Sequence, residues 1–389
     1  MMFESDYGSM SFVQENNENI NSNYYYKFIL MIGVYYTLPA LQFVFFQATD
    51  ENAYCYYNFD CIKPVGIIPA FNNFISNIFY IIFGLIFIIT VRLTYTKITD
   101  GIVRYGVTMN PGLYYTLGIA LIMEGICSGI YHICPSKLNF QFDTTFMFMG
   151  AALIYLTLYQ KRHYYDTMSP MKFFTSLSAI IFINFLPLAG LSTGVETWFW
   201  TIIFFFIAYY VVFGTIYIYF GKEYDINMKS VRDLISNCKD VKNTPKIILV
   251  SLINIFTLGM YTYAVITKPN FTDWMLSVFI INMIIYFTYY TIQKLRHNEK
   301  IRKIWWFFFI TDIIIISFAI KFYLIGVTDK LLTPEESRKL NKPCVLFNYF
   351  DYHDVWHILS ATGLFMFMNI VFFLDTDLDS TIISEIKVF

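Results

Sequence analysis

The chain has 389 residues, of which 57% are hydrophobic and only 14% charged, with 27 basic against 28 acidic side chains and a net charge of −1. Soluble domains carry about 25% charged residues, so this composition excludes an ordinary water-soluble globule. The balanced charge also excludes a polybasic chain that would coat nucleic acid along its whole length.

The first 27 residues are rich in Asn, Ser and Glu, and no basic patch precedes an apolar core there. They read as a disordered polar tail and not as a cleavable leader. Residues 28–389 read as one transmembrane domain, an all-α polytopic helical bundle of about ten spans. Stretches of about 20 mostly apolar residues cross the ~30 Å hydrocarbon core as helices, which satisfy their own backbone groups in lipid. In chain order the predicted spans are 28–47, 71–93, 113–134, 141–160, 172–190, 196–220, 246–266, 273–292, 303–327 and 353–374. Pro187 interrupts the fifth. The 42 Phe and 32 Tyr fill apolar faces and also collect at span ends, where amphipathic rings favour the interface. No internal repeat is visible, and no polar stretch is long enough to bury a core of its own.

Ten spans put both termini on one side. The loops on that side carry 17 Lys and Arg against seven on the other, which assigns the tail to the cytosol. Cys55, Cys61, Cys134 and Cys344 then share the extracytosolic face, where an oxidising compartment permits disulfides. Four thiols allow three pairings. Cys55 with Cys61 is the simplest, and Cys134 with Cys344 would then tie the third span to the loop before the tenth; small apolar residues left unbridged are the alternative. Cys127 and Cys238 read as free thiols, and the sequon at Asn270 lies too close to the membrane to matter.

Three of the five histidines, His132, His353 and His357, fall at the extracytosolic ends of the third and tenth spans. His163 and His297 lie in basic cytosolic loops and read as solvated. The four-residue spacing of His353 and His357 in DYHDVWH projects both from one helix face, as paired metal ligands require. His132 supplies a third imidazole, with Ser128 one turn earlier on the same face, Glu124 one turn before that, and Asp143 just across a Pro135-containing turn. Three neutral imidazoles with an open fourth position describe a catalytic Zn²⁺ site. Asp143 would orient or deprotonate a water, and Ser128 would hydrogen-bond Asp143 or a developing oxyanion. The competing reading, histidines hydrogen-bonding at the interface, does not account for the serine and aspartate beside them. Ionisable groups inside spans cost about 2.5–3.5 kcal/mol each on insertion scales. Asp312 and Lys321 stand alone in the ninth span and read as packing or snorkelling groups.

The motifs YYTLPALQ, CYYNFDC, FNNFISN, EGICSGIYHICP, NFQFDTTFM, LYQKRH, PEESRKLNKPC, DYHDVWHILS and the final IKVF occur in this order along the chain. In them the chain resembles the systemic RNA interference defective (SID) transmembrane family over nearly its whole length. That family is in turn similar to the CREST membrane hydrolases, whose pattern of a serine and histidine one turn apart, an aspartate at the next span and a late HxxxH pair falls here on Ser128, His132, Asp143, His353 and His357. The resemblance implies zinc on the three histidines and import of double-stranded RNA or other nucleic acid across a plasma or lysosomal/endosomal membrane, with cholesterol or other lipid as further ligands. Typical members begin with an extracytosolic β-rich domain and one more helix, and we expect this chain to lack both.

Three functions follow as expectations. One is the family role in nucleic-acid transport, alone, as a homo-oligomer, or beside a full-length relative. The second is a zinc-dependent hydrolase of a lipid amide, ester or phosphodiester that enters from the bilayer. The third is a sterol- or lipid-binding module in which zinc is structural. The seven extracytosolic basic residues are interleaved with Asp50, Glu51, Asp60, Glu335 and Glu336, so no loop forms the basic stripe that phosphate tracking needs.

Overall fold

The computed structural model describes residues 4–50, 54–95, 106–107, 110–163, 168–188, 199–209, 211, 244–269 and 271–389, with most of their side chains from Tyr24 onward. These residues contain no β-strand, only isolated bridges at Val65–Ile68 and Leu346–Phe350. The helices are α1 (Glu4–Thr49), α2 (Phe71–Ser76), α3 (Ile78–Tyr95), α4 (Pro111–Tyr131), α5 (Gln141–Arg162), α6 (Pro170–Leu188), α7 (Phe199–Tyr209), α8 (Thr244–Thr267), α9 (Phe271–Arg296), α10 (Lys303–Tyr323), α11 (Pro334–Arg338) and α12 (Tyr352–Phe373). Eight stretches among the described residues are long and apolar enough to cross a membrane, in α1, in α2 with α3, and in α4, α5, α8, α9, α10 and α12. The molecule is thus an all-α polytopic membrane protein. The expected spans 172–190 and 196–220 correspond to α6 and α7 as far as these are described; the rest of both, Cys238 and Asn270 lie outside the described residues.

The chain divides into two compact units. The first comprises Met1–Thr157, Met168–Ser178 and Ile301–Ile386. Within it α4 packs on α1 and α3, while α12 packs on α10 and α3. Helix α4 is buried along nearly its whole length, whereas α10 turns Ile310, Ile313, Ile314 and Phe318 outward, the apolar face lipid accepts. A Cβ on Gly84 would lie 2.7 Å from the Gly118 carbonyl oxygen, and one on Gly118 would lie 2.5 Å from Ile88. Backbones of α3 and α4 therefore touch, the small-residue packing that membrane helices use because lipid offers no hydrophobic drive for association.

Local chemistry sets where these helices start. Asn110 caps α4 by accepting from the Leu113 N–H at 3.3 Å, with Pro111 at the first helical position. Thr333 and Glu336 form a reciprocal capping box on α11, and Asp351 and Asp354 form another on α12.

Two disulfides tie the connecting segments of this unit: Cys55–Cys134 and Cys61–Cys344, with Cα–Cα separations of 4.9 and 5.0 Å. The simplest pairing, Cys55 with Cys61, is overturned. The intervening YYNFD crosses between two partners: Tyr56 N–H donates to the Pro135 carbonyl at 2.8 Å, whereas Asn58 pairs with Lys342, donating to its carbonyl at 2.9 Å and accepting its N–H at 3.1 Å. Each cysteine is thereby carried to a different segment. Cys127 is a buried free thiol.

The second unit comprises Leu158–Thr167, Ala179–Lys300 and Lys387–Phe389. Its aromatic core joins Phe199, Trp200, Phe271 and Trp274 with Ile203 and Ala264. Arg162 and Lys294, counted from sequence among the loop charges, are both buried here: Arg162 grips Glu299 through two bonds of 3.0 and 2.6 Å, and Lys294 meets the same carboxylate at 3.2 Å. Paired this way, buried charges remain tolerable. His163 stacks on Tyr159 and His297 on Phe389.

Peptide mapping under non-reducing conditions is expected to recover Cys55 linked to Cys134 and Cys61 linked to Cys344. Replacing Cys61 and Cys344 together by serine should cost about 2–5 kcal/mol of stability, read as a lower unfolding temperature in detergent. A peptide joining Cys55 to Cys61 would contradict the fold of this loop.

Candidate metal centre

His353 and His357 occupy the first two turns of α12, where the four-residue spacing puts their rings edge to face on one side of the helix with centroids 4.5 Å apart. Their Nε2 atoms are 2.9 Å apart. His132 ends α4 as its C-terminal cap, and its Nε2 lies 3.0 Å from that of His357. One nitrogen from each of the three rings falls within 4.8 Å of the other two. Asp143, in the first turn of α5, accepts the Ser128 hydroxyl at 2.5 Å, and its Oδ1 is 3.7 Å from His132 Nε2. Ser128, His132, Asp143 and His357 are buried and His353 is half-buried. All five residues expected from the sequence are thus neighbours in one unit.

The donor set fits a metal ion on chemical grounds. A neutral imidazole offers one N–H and one lone pair, on different nitrogens, so a single Nε2 can serve one partner. His357 Nε2 faces two others at 2.9 and 3.0 Å, which hydrogen bonding between neutral rings cannot satisfy at both. A cation held at about 2.0–2.1 Å from each nitrogen would engage all three lone pairs. His163 and His297 take no part in the cluster.

Sequence reasoning missed the residues that hold these ligands in place. Asp354 lies between the two histidines and is fully buried; its carboxylate accepts from Asn72 and Asn73 of α2, each at 2.9 Å, and from the Asp351 N–H at 3.0 Å. Asp351 in turn accepts from Asn58 at 3.0 Å. Two buried acids are thus surrounded by amide donors, and α12 is fixed at its first turn against α2. The pattern DxxD just before an apolar run was a legible capping signal. The role of the asparagines was not legible, because only the tertiary fold brings residue 72 to residue 354. On the α4 side, Tyr57 donates its hydroxyl to the Ile133 carbonyl at 2.6 Å, next to His132. Burial pushes that phenol up to about 12, so it stays a donor at any physiological pH. Deeper in the bundle, Tyr80 and Ser360 hydroxyls meet at 2.5 Å and the Tyr80 ring stands 6.1 Å from that of His357. Glu124 is also buried, and its Oε2 makes no hydrogen bond among the described residues.

A profile of the family described as "dsRNA-gated channel SID-1" matches residues 3–389. "SID1 transmembrane family member 1" of Homo sapiens is 34% identical over 390 residues, covering 94% of this chain and 46% of the relative, and the Mus musculus protein of that name is also 34% identical. "Cholesterol uptake protein 1" of Caenorhabditis elegans is 29% identical over 390 residues, covering 94% of this chain and 51% of the relative. The chain spans about half the length of these curated relatives. On the strength of a match along essentially its entire length, this chain belongs to the SID-1 family of multi-pass membrane proteins.

Proposed function

We propose that the three-histidine centre binds zinc and that this region acts as a membrane-embedded hydrolase of a lipid ester, amide or phosphodiester bond. The observation that carries the reading is the convergence of three Nε2 atoms beside a hydrogen-bonded Ser128–Asp143 pair. Bound zinc supplies Lewis-acid chemistry, bringing the pKa of water toward ~7 and polarising a carbonyl or phosphoryl oxygen. Ser128 donates to Asp143 Oδ1 and so holds in one orientation the carboxylate that would orient a water and accept its proton. The excess of basic residues in the loops on the tail side supports an extracytosolic centre, in a plasma or lysosomal/endosomal membrane, that lipid reaches sideways.

The family match favours a second reading for the longer protein. The description of the matching family as a dsRNA-gated channel and the name of one relative, a cholesterol uptake protein, support transport of double-stranded RNA or of cholesterol, by this chain as a homo-oligomer or with a full-length relative. The two readings are compatible, since a lipid-processing centre can sit inside a transporting membrane domain.

Purified protein is expected to carry about one zinc per chain by elemental analysis, and the double variant His353→Ala, His357→Ala should carry almost none; unchanged metal content would refute the site. On a panel of ceramide, glycerolipid and phospholipid substrates, Asp143→Asn should keep its zinc and lose roughly 10²–10⁴-fold in turnover. If His132→Ala unfolds the protein while Ser128→Ala and Asp143→Asn leave turnover unchanged, zinc is a staple in a lipid- or sterol-binding module. For the second reading, cells expressing the chain should accumulate labelled double-stranded RNA or labelled cholesterol above empty-vector cells, and equal uptake of both tracers would count against transport.

A further inference from the structure

The ninth span read from the sequence carries an acid that neither the histidine centre nor the hydrolase reading uses. Asp312 falls at the middle of α10, nine residues from Lys303 and nine from Lys321, so about 13–14 Å of helix separates it from either lysine at 1.5 Å per residue. An aspartate side chain is too short to snorkel over that distance. The structure turns it inward instead: Trp305, Asp312 and Ala319, each seven residues from the next, are buried along one stripe of the helix.

That stripe faces α12, on which α10 packs. A Cβ on Gly363 would collide with Ile316 and would lie 3.5 Å from Asp312 Oδ1, so the two helices close tightly at the level of the carboxyl. Aromatic pairs fasten both ends of this seam: Phe308 stacks on Phe373 with centroids 5.6 Å apart, and Tyr323 meets Trp356 at 4.9 Å. Between them Asp312 is 8% exposed, and its Oδ1 makes no hydrogen bond among the described residues. Helix α12 offers it no counter-charge, because Tyr352, His353, Asp354 and His357 lie in the first two turns and residues 358–373 contain no titratable side chain.

A carboxyl so placed is tolerated in an apolar seam when it is uncharged. A metal cation would need several oxygen ligands, and the glycine and isoleucine beside Asp312 supply no side-chain oxygen; a proton needs the carboxylate alone. A polar residue kept only to fix the register of a helix pair would bond across the seam, which Oδ1 does not do. We propose that Asp312 is a reversible proton-binding site in the middle of the membrane domain: the α10–α12 seam closes on the protonated carboxyl and opens, admitting water, when the carboxyl ionises. Because α12 also carries His353 and His357, the proton acts on the helix that bears two of the three clustered imidazoles. This site stands apart from the hydrolase reading and holds whether or not those imidazoles bind a metal.

The test uses the full chain in nanodiscs, as wild type, Asp312→Asn and Asp312→Glu. Dicyclohexylcarbodiimide, a lipid-soluble reagent that attacks protonated carboxyls, is compared with a water-soluble carbodiimide, and peptide mass spectrometry locates the modified residue. Hydrogen–deuterium exchange of α10 peptides is followed from about pH 5 to about pH 9. Each wild-type value is divided by that of Asp312→Asn at the same pH, which cancels the intrinsic pH dependence of exchange and the effect of other titrating groups. The lipid-soluble reagent should modify position 312 in wild type and Asp312→Glu, the water-soluble one should not, and wild-type labelling should fall toward high pH while the exchange ratio rises roughly threefold or more. No modification of Asp312 by the lipid-soluble reagent overturns the proposal, since the carboxyl is then ionised. Labelling and an exchange ratio that are both flat with pH also overturn it, because the acid is then a permanently neutral packing residue. Labelling of the wild type needs no variant, so the proton is decided even if a substitution prevents folding.

Discussion

Three imidazole nitrogens from distant parts of the chain point at one another inside an apolar bundle, and the rest of the structure is arranged around that fact. Neutral ring nitrogens have little reason to crowd each other, so the arrangement makes sense when their lone pairs share a cation. Bringing His132 from the end of one helix to His353 and His357 at the start of another, far later in sequence, needs rigid support on both sides. Without it the histidines would be merely polar residues in lipid, at an energetic cost with no return.

The support is built from groups that are themselves costly to bury. Asp351 and Asp354 would be expensive alone, but Asn58, Asn72, Asn73 and the backbone supply donors for them, so the first turn of α12 is locked to α2. On the opposite side Ser128 holds Asp143, and Tyr57 holds the backbone just past His132. The glycine contacts between α3 and α4 bring these helices close enough for the polar groups to meet. Buried polar residues therefore specify one geometry, while the apolar faces outside them satisfy the bilayer.

Much of this was readable from the residues. The spans followed from hydropathy and length, and the HxxxH spacing with Ser128 one turn before His132 follows from helix periodicity alone. Asp143 was legible because only a short turn separates it from α4. What could not be read depended on contacts across the fold. The disulfide pairing was decided by where the short segment between Cys55 and Cys61 crosses from Pro135 to Lys342, which no spacing rule encodes. Asn72 and Asn73 look like span-boundary polar residues until Asp354 is placed against them. Arg162 and Lys294 resemble solvated flanking charges in sequence, yet a single carboxylate, Glu299, takes both inward.

Family membership and local geometry answer different questions. The match across the chain identifies what kind of membrane protein this is, while the site speaks to chemistry that the relatives' names do not mention. The central claim is that the three rings coordinate one metal ion, and X-ray absorption at the zinc edge of the protein purified from membranes tests it most directly. The account predicts three imidazole nitrogens at about 2.0–2.1 Å with a lighter oxygen neighbour. Sulfur scatterers near ~2.3 Å, or an absorption edge with no imidazole contribution, would contradict it.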